Sequence, residues 1–345
     1  MHTSSISTAS LMGSTRTGVA RMQNELARLN EEVVTSRMAD VGLTLGARTA
    51  QSVSLHIDYD SLSSLIDSNS QVSSRLEQQQ SALDSLRTGA DDFLQSLIDG
   101  QTSGGDTTTL VEAAKSALAS FTQTVNASDG HDYLFGGINS TSAPLAEYDS
   151  GPGDAVTAAF TAKFGFAPDD PAAADITGDE MSDFLDNEFD ALFSDPSWGT
   201  DWSSASDQTI SNRIDTTTTV STSVSANEPA MRKLAEAYTM VGYLGLDGLS
   251  SDAQQAILDK ANTLVGDGDD GLVEIQASLG GVQNQVTDAS DRLKTQQTIL
   301  TNHIDSLEGV DAAEAKVQID TLTTQIEMSY SLTAKLLDIS LLKYA

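Results

Sequence analysis

The hexapeptide GDGDDG at residues 266–271 is the densest cluster of groups in this sequence that could bind a ligand. It matches G-x-G-x-x-G, in which glycine amides cradle a pyrophosphate. However, Asp267, Asp269 and Asp270 would repel that ligand, and an apolar helical stretch precedes the motif instead of a strand. As a calcium loop it fails because Gly271 stands at the fifth ligand position. It reads as a solvated turn between two helices, with a weak cation site as the alternative. His2, His56, His131 and His303 are scattered, and no pair has metal-ligand spacing. Neither a G-x-S-x-G elbow nor a phosphate-binding P-loop occurs. Acidic pairs such as Asp91–Asp92 fall on helix surfaces, where solvation is their default. No catalytic, cofactor-binding or metal site is expected, and the chain reads as a protein without enzymatic activity.

The 345 residues carry 50 Asp and Glu against 18 Lys and Arg, a formal net charge of −32. Nucleic acids are bound by displacing counterions with Lys and Arg, so this balance excludes a nucleic-acid partner. The same sign repels anionic membrane surfaces, and no apolar run approaches a bilayer span. The segment MHTSSISTASLMGST has no basic residue and no apolar core, so it does not read as a Sec-type signal. Cysteine is absent, which removes disulfide and thiolate chemistry. Two settings fit: a reduced cytosolic protein, or one exported as an unfolded, reduced chain.

The strongest signals lie in how the chain is partitioned. All six prolines (Pro144, Pro152, Pro168, Pro171, Pro196, Pro229) fall between residues 144 and 229, with nine of the eighteen aromatics, Trp198 and Trp202 included. Both flanks are therefore free to form long helices. Heptads run through each. The N-terminal seam reads Leu62, Leu65, Asn69, Val72, Leu76, Gln79, Leu83, Leu86, Ala90, Phe93, Leu97. The C-terminal seam reads Leu272, Ile275, Leu279, Val282, Val286, Ala289, Leu293, Gln296, Leu300, His303, Leu307. Nine of eleven positions are apolar in each, which predicts a bundle or coiled coil. Residues 55–97 alone would make a rod of about 60 Å. Asn69, Gln79, Gln296 and His303 would fix register at a cost in packing, and Gly280–Gly281 would mark a bend or a close helix approach. Shorter helices follow from Val19, Met22, Leu26, Leu29 and Val33, from Leu110–Val125 and from Met231–Leu244, with a turn at 100–109. Between the flanks, alternation of Val156, Ala158, Phe160, Ala162, Phe164 and Phe166 predicts a strand. MSDFLDNEFDALF predicts a helix, and the Thr/Ser-rich run 209–225 an extended segment or a linker.

Several stretches resemble the bacterial flagellin superfamily. RMQNELARLNEEVVTSR (21–37) is similar to its N-terminal helix, with Thr35, Ser36 and Arg37 where the family carries a Ser-Gly-Arg/Lys turn. NASDGHDYLFGGINSTSAPL (126–145) resembles the hook–filament junction branch, matching its Tyr-Leu-Phe turn at Gly130, Tyr133, Leu134, Phe135, Gly136, Gly137 and Pro144. WGTDWSSASD (198–207), SVSANEPAMRKLAEAY (223–238) and the closing LTAKLLDISLLKYA are also similar to this family.

The resemblance implies a mainly α fold, an elongated flagellin-like helical bundle or coiled coil built from both terminal arms with an inserted α+β middle domain. Residues 1–45 and 315–345 would be terminal axial helices, 46–140 and 230–314 the long-helix bundle, and 141–229 an inserted outer domain. The implied role is structural, at the hook–filament junction of the extracellular flagellum, after type III export without a cleaved signal. Implied partners are a ring of identical copies, the first hook-associated protein on the hook side, flagellin on the filament side, and a cytosolic export chaperone. No cofactor is implied. A minor filament flagellin is the alternative, with a type III needle-tip or translocator-like protein behind it. The implied assembly interface is Val19, Met22, Leu26, Leu29, Val33, Leu322, Ile326, Leu336, Leu337, Leu341 and Leu342. Tyr133, Leu134 and Phe135 would plug the bundle end, and Gly136 and Gly137 would let the chain turn away.

Overall fold

A computed structural model describes the backbone of residues 8–102 and 107–342, and the side chains of residues 13–101 and 107–335. The α-helices are α1 (Thr8–Thr35), α2 (Val41–Leu45), α3 (Thr49–Thr102), α4 (Thr107–Val125), α5 (Pro152–Phe164), α6 (Gly178–Phe184), α7 (Pro229–Tyr243), α8 (Ser251–Glu308) and α9 (Ala312–Leu342). Strands β1 (Ser211–Arg213) and β2 (Thr219–Ser221) pair antiparallel, with Asn212 opposite Val220. The extended segment expected at 209–225 is this hairpin. The turn expected at 100–109 falls partly outside the described residues, with α3 ending at Thr102 and α4 starting at Thr107.

Contacts divide the chain into two units. The first is residues 1–64 with 294–345, and the second is residues 65–293. The first unit joins the two ends of the chain. Here α1 packs along α9, accompanied by α2, the start of α3 and the end of α8. None of these helices contains proline, so nothing interrupts their backbone ladders. Asp40 caps α2 by accepting the Leu43 amide at 2.8 Å, satisfying one donor that the helix cannot use itself.

The second unit is organised around α7. Eleven consecutive or near-consecutive residues of this helix, from Ala230 to Gly242, are buried, so it is a core helix instead of an amphipathic surface helix. Tyr238 meets Phe93 of α3 and Phe121 of α4 edge-on, with ring centroids 5.0 and 5.9 Å apart. The α3 seam faces this core: every position from Asn69 to Leu97 is buried, and Leu65 is half-buried. The apolar core continues without a break into residues 145–226. There a chain of ring contacts links Phe160, Phe184, Phe189, Phe193 and Trp202.

Three sequence expectations are corrected by the structure, and a fourth, at Gly280–Gly281, loses one of its two alternatives. The strand expected at 156–166 is helix α5. Pro152 starts it and Gly165, at φ +85°, ends it. The alternating pattern concealed a four-residue spacing, for Val156 and Phe160 are buried while Ala158 and Ala162 are exposed. GDGDDG is no turn either; it lies inside α8. A Cβ on Gly268 would stand 2.8 Å from the Leu234 side chain, and one on Gly271 2.9 Å from the Ala230 Cβ. These glycines let α7 and α8 pack closely, while Asp269 and Asp267 pair with Arg87 and Lys233. Gly280–Gly281 neither breaks α8 nor admits a close neighbour; the nearest atom to a Gly280 Cβ is Gln80 Nε2 at 3.9 Å. Finally, the α8 seam leaves its heptad after Leu293. Gln296 and His303 are exposed, and burial passes to Ile304 and Glu308. An α-helix drifts about 20° per heptad from a strict seven-residue repeat, so a four-residue step restores the buried face.

Glu236 is the one acid on the buried stretch of α7. It is 3% exposed, and its Oε1 has no hydrogen-bond partner. Burial, reinforced by the nearby Asp190 and only partly offset by Lys260 and Lys233, pushes its pKa up from 4.5 to about 8. The folded chain thus holds this proton more tightly than the unfolded chain. Stability is unpenalised below the ordinary pKa of 4.5 and falls as pH rises toward about 8. Glu236→Gln should therefore stabilise the chain at pH 8 and flatten that decline, as measured by urea unfolding across this pH range.

Candidate assembly interface

The residues expected at the assembly interface fall into two groups. On α1, Val19 and Leu29 are buried, and Met22, Leu26 and Val33 are half-buried. On α9, Ile326 is buried and Leu322 half-buried. These side chains line the seam along which α1 and α9 pack within one chain, where Gln23 Nε2 also donates to the Tyr330 hydroxyl at 3.0 Å. The side chains of Leu336, Leu337, Leu341 and Leu342 lie outside the described residues.

The pair is closed at one end by a clasp between two turns. The Met38 amide donates to the Glu308 carbonyl at 2.9 Å and the Val310 amide to the Ser36 carbonyl at 3.2 Å, around an Arg37–Gly309 bridge. Ser36 takes φ +56°, the left-handed conformation that glycine adopts without strain. It occupies the place of the turn glycine noted in the sequence, and a side chain there costs on the order of 1–2 kcal/mol. The clasp must hold the residue against that cost.

Glu308 holds it. This carboxylate ends α8, where the helix dipole disfavours negative charge, yet it is only 1% exposed. It accepts hydrogen bonds from the Arg37 guanidinium, from Ser52 Oγ at 2.5 Å and from His56 Nε2 at 3.0 Å. Burial pushes its pKa up, and the Ser52, Arg37 and His56 hydrogen bonds outweigh burial and hold it below its ordinary value. A second buried acid, Glu32 of α1, accepts the Ala39 amide at 3.2 Å and pairs with Arg28. Sequence reasoning missed Glu308, Arg37, Ser52 and His56 as a group. The available signal was an acid on the last turn of a helix, one residue before Gly309.

The second predicted group, Tyr133–Gly137, lies in the second unit. Leu134 and Phe135 are buried and Tyr133 is half-buried. Polar residues of α3 reach across to this turn: Arg75, beside the seam, donates to the Tyr133 carbonyl at 2.9 Å, and the seam residue Gln79 to the Leu134 carbonyl at 2.8 Å. Gly137 has φ +60°, and a Cβ there would come within 2.4 Å of the Ser206 carbonyl oxygen. Asn69 serves similarly, donating to the Ile214 carbonyl at 2.9 Å. The polar seam positions of α3 therefore anchor irregular segments of the unit. Among the described residues, no group of three or more acids and histidines could hold a metal ion, and no helix is long and apolar enough to cross a membrane.

Long unbroken helices whose two chain ends pair and are clasped together define a mainly α, flagellin-like helical fold. Family models name the family: the bacterial flagellin N-terminal helical region matches residues 6–140, and the C-terminal helical region matches residues 258–345. The chain belongs to the bacterial flagellin family, whose members are structural components of the extracellular flagellum. A solved structure of a provisionally assigned flagellar hook-associated protein from Vibrio parahaemolyticus shares the fold, with a TM-score of 0.54 at 10% identity, covering 76% of this chain and 97% of that one. Comparison with curated proteins finds no match.

Glu308→Gln should cost about 1–3 kcal/mol at neutral pH, because it removes charge-assisted bonds from a buried group. Since the folded pKa is depressed, the stability from Glu308 is present above the ordinary carboxyl pKa of 4.5 and lost as pH falls through the folded value. The deficit of the variant should accordingly shrink between pH 7 and pH 3, as read from urea unfolding of both proteins.

Proposed function

We propose that this chain is a structural subunit of the bacterial flagellum at the hook–filament junction, the third hook-associated protein, which assembles through the helices of its two ends. The observation that carries the reading is a segregation of exposed apolar surface. Among the described residues, nine of the twelve exposed large apolar side chains belong to the first unit. Leu43 is 84% exposed, Val317 65%, Ile57 62% and Met328 60%. A two-helix pair buries one seam and leaves its other faces wet, so further burial must come from neighbouring copies.

Two features favour the junction over the filament proper. The Tyr133–Gly137 turn resembles that branch, and the fold is shared with a protein described as hook-associated. On this reading a ring of copies sits between the first hook-associated protein and flagellin, outside the cell. A cytosolic chaperone covers the C-terminal segment before type III export, which needs no cleaved signal. The role requires no catalysis and no cofactor.

Deleting the gene in its host should leave hooks intact, abolish filaments and release flagellin into the medium, as seen by electron microscopy and immunoblotting. Persisting filaments would overturn the proposal. Loss of filaments with no flagellin in the medium would make the chain the filament subunit itself.

A further inference from the structure

Charge is segregated as sharply as apolar surface. The first unit carries nine Lys and Arg against 13 Asp and Glu, a net charge of −4. The second carries nine against 37, a net charge of −28. Its few cations are already occupied: eight of the nine are held in ion pairs with acids of the same unit. The second unit therefore has almost no unengaged positive charge to offer the acids of another copy. Two such units can only repel, whereas two copies of the nearly neutral first unit can meet through apolar side chains.

We propose that the second unit is an electrostatic brake on self-association through the first, so that copies stay apart at low ionic strength and associate above a threshold set by the charge of the second unit. The partner is a second copy of this chain, and the inference rests on the assembly reading given above. Apolar attraction is not screened by simple salt, while repulsion between exposed charges is. The screening length falls from about 30 Å at 10 mM to about 3 Å at 1 M salt. The brake requires their sum to change sign at an intermediate concentration. In an assembled array, counterions would have to gather between neighbouring second units.

Static light scattering of the full chain over that range of NaCl reads the balance directly as the osmotic second virial coefficient. The wild-type protein should pass from repulsive to attractive as salt rises. A variant combining Asp149→Asn, Asp169→Asn, Asp175→Asn and Asp247→Asn, all exposed positions of the second unit, should cross at lower salt. A variant combining Ile57→Ser and Leu332→Ser, both exposed positions of the first unit, should stay repulsive longer or throughout. Attraction already present at the lowest salt, or a crossing that the four neutralisations do not move, would overturn the brake and leave assembly through the first unit standing. A wild-type protein that stays repulsive at every salt concentration would overturn both.

Discussion

The two ends of this chain are separated by more than 250 residues, and the structure depends on bringing them back together. That return is enforced by one buried carboxylate. Glu308 sits where its own helix dipole opposes it and is kept there by Arg37, Ser52 and His56, donors from the α1–α2 turn and from α3. A buried acid with this many partners favours this register, because a shift would leave the Glu308 carboxylate buried without its donors. With the turns clasped, α1 and α9 must leave side by side, and their apolar seam closes between Val19, Leu29 and Ile326.

The two units are built on different physical terms. Residues 65–293 surround the buried helix α7 with the α3 seam, α4, the α8 glycines and a run of aromatic rings, and they display their charge. This unit has a finished core. The paired ends have one closed seam, little net charge, and large side chains such as Leu43, Ile57 and Met328 in water. Such a surface is costly for a solitary protein and useful for a subunit. The flagellin-family helical regions fall on the two flanks that supply these ends.

The long helices were legible because heptads and missing prolines are local signals, and the α3 seam is buried almost position by position. What failed was whatever depended on tertiary partners. In residues 156–166 a period of two and a spacing of four share Val156 and Phe160, and only the rings they meet decide between them. Gly268 and Gly271 looked like a turn because close packing and chain reversal call for the same residue. The seam residues Asn69 and Gln79 were recognisable as unusual, but their partners, the Ile214 and Leu134 carbonyls, lie in segments without periodicity. The clasp was invisible for the same reason, since Arg37 and Glu308 are 271 positions apart.

The central claim is that the paired ends are completed by neighbouring copies. Hydrogen exchange across residues 312–335 tests it most directly, comparing the chain in dilute solution with the same chain incorporated into flagella. The account predicts weak protection in the dilute chain, where Met328, Tyr330 and Leu332 face water, and strong protection once incorporated. Strong protection of this segment in dilute solution would contradict it, for the pair would then need no neighbour to be stable.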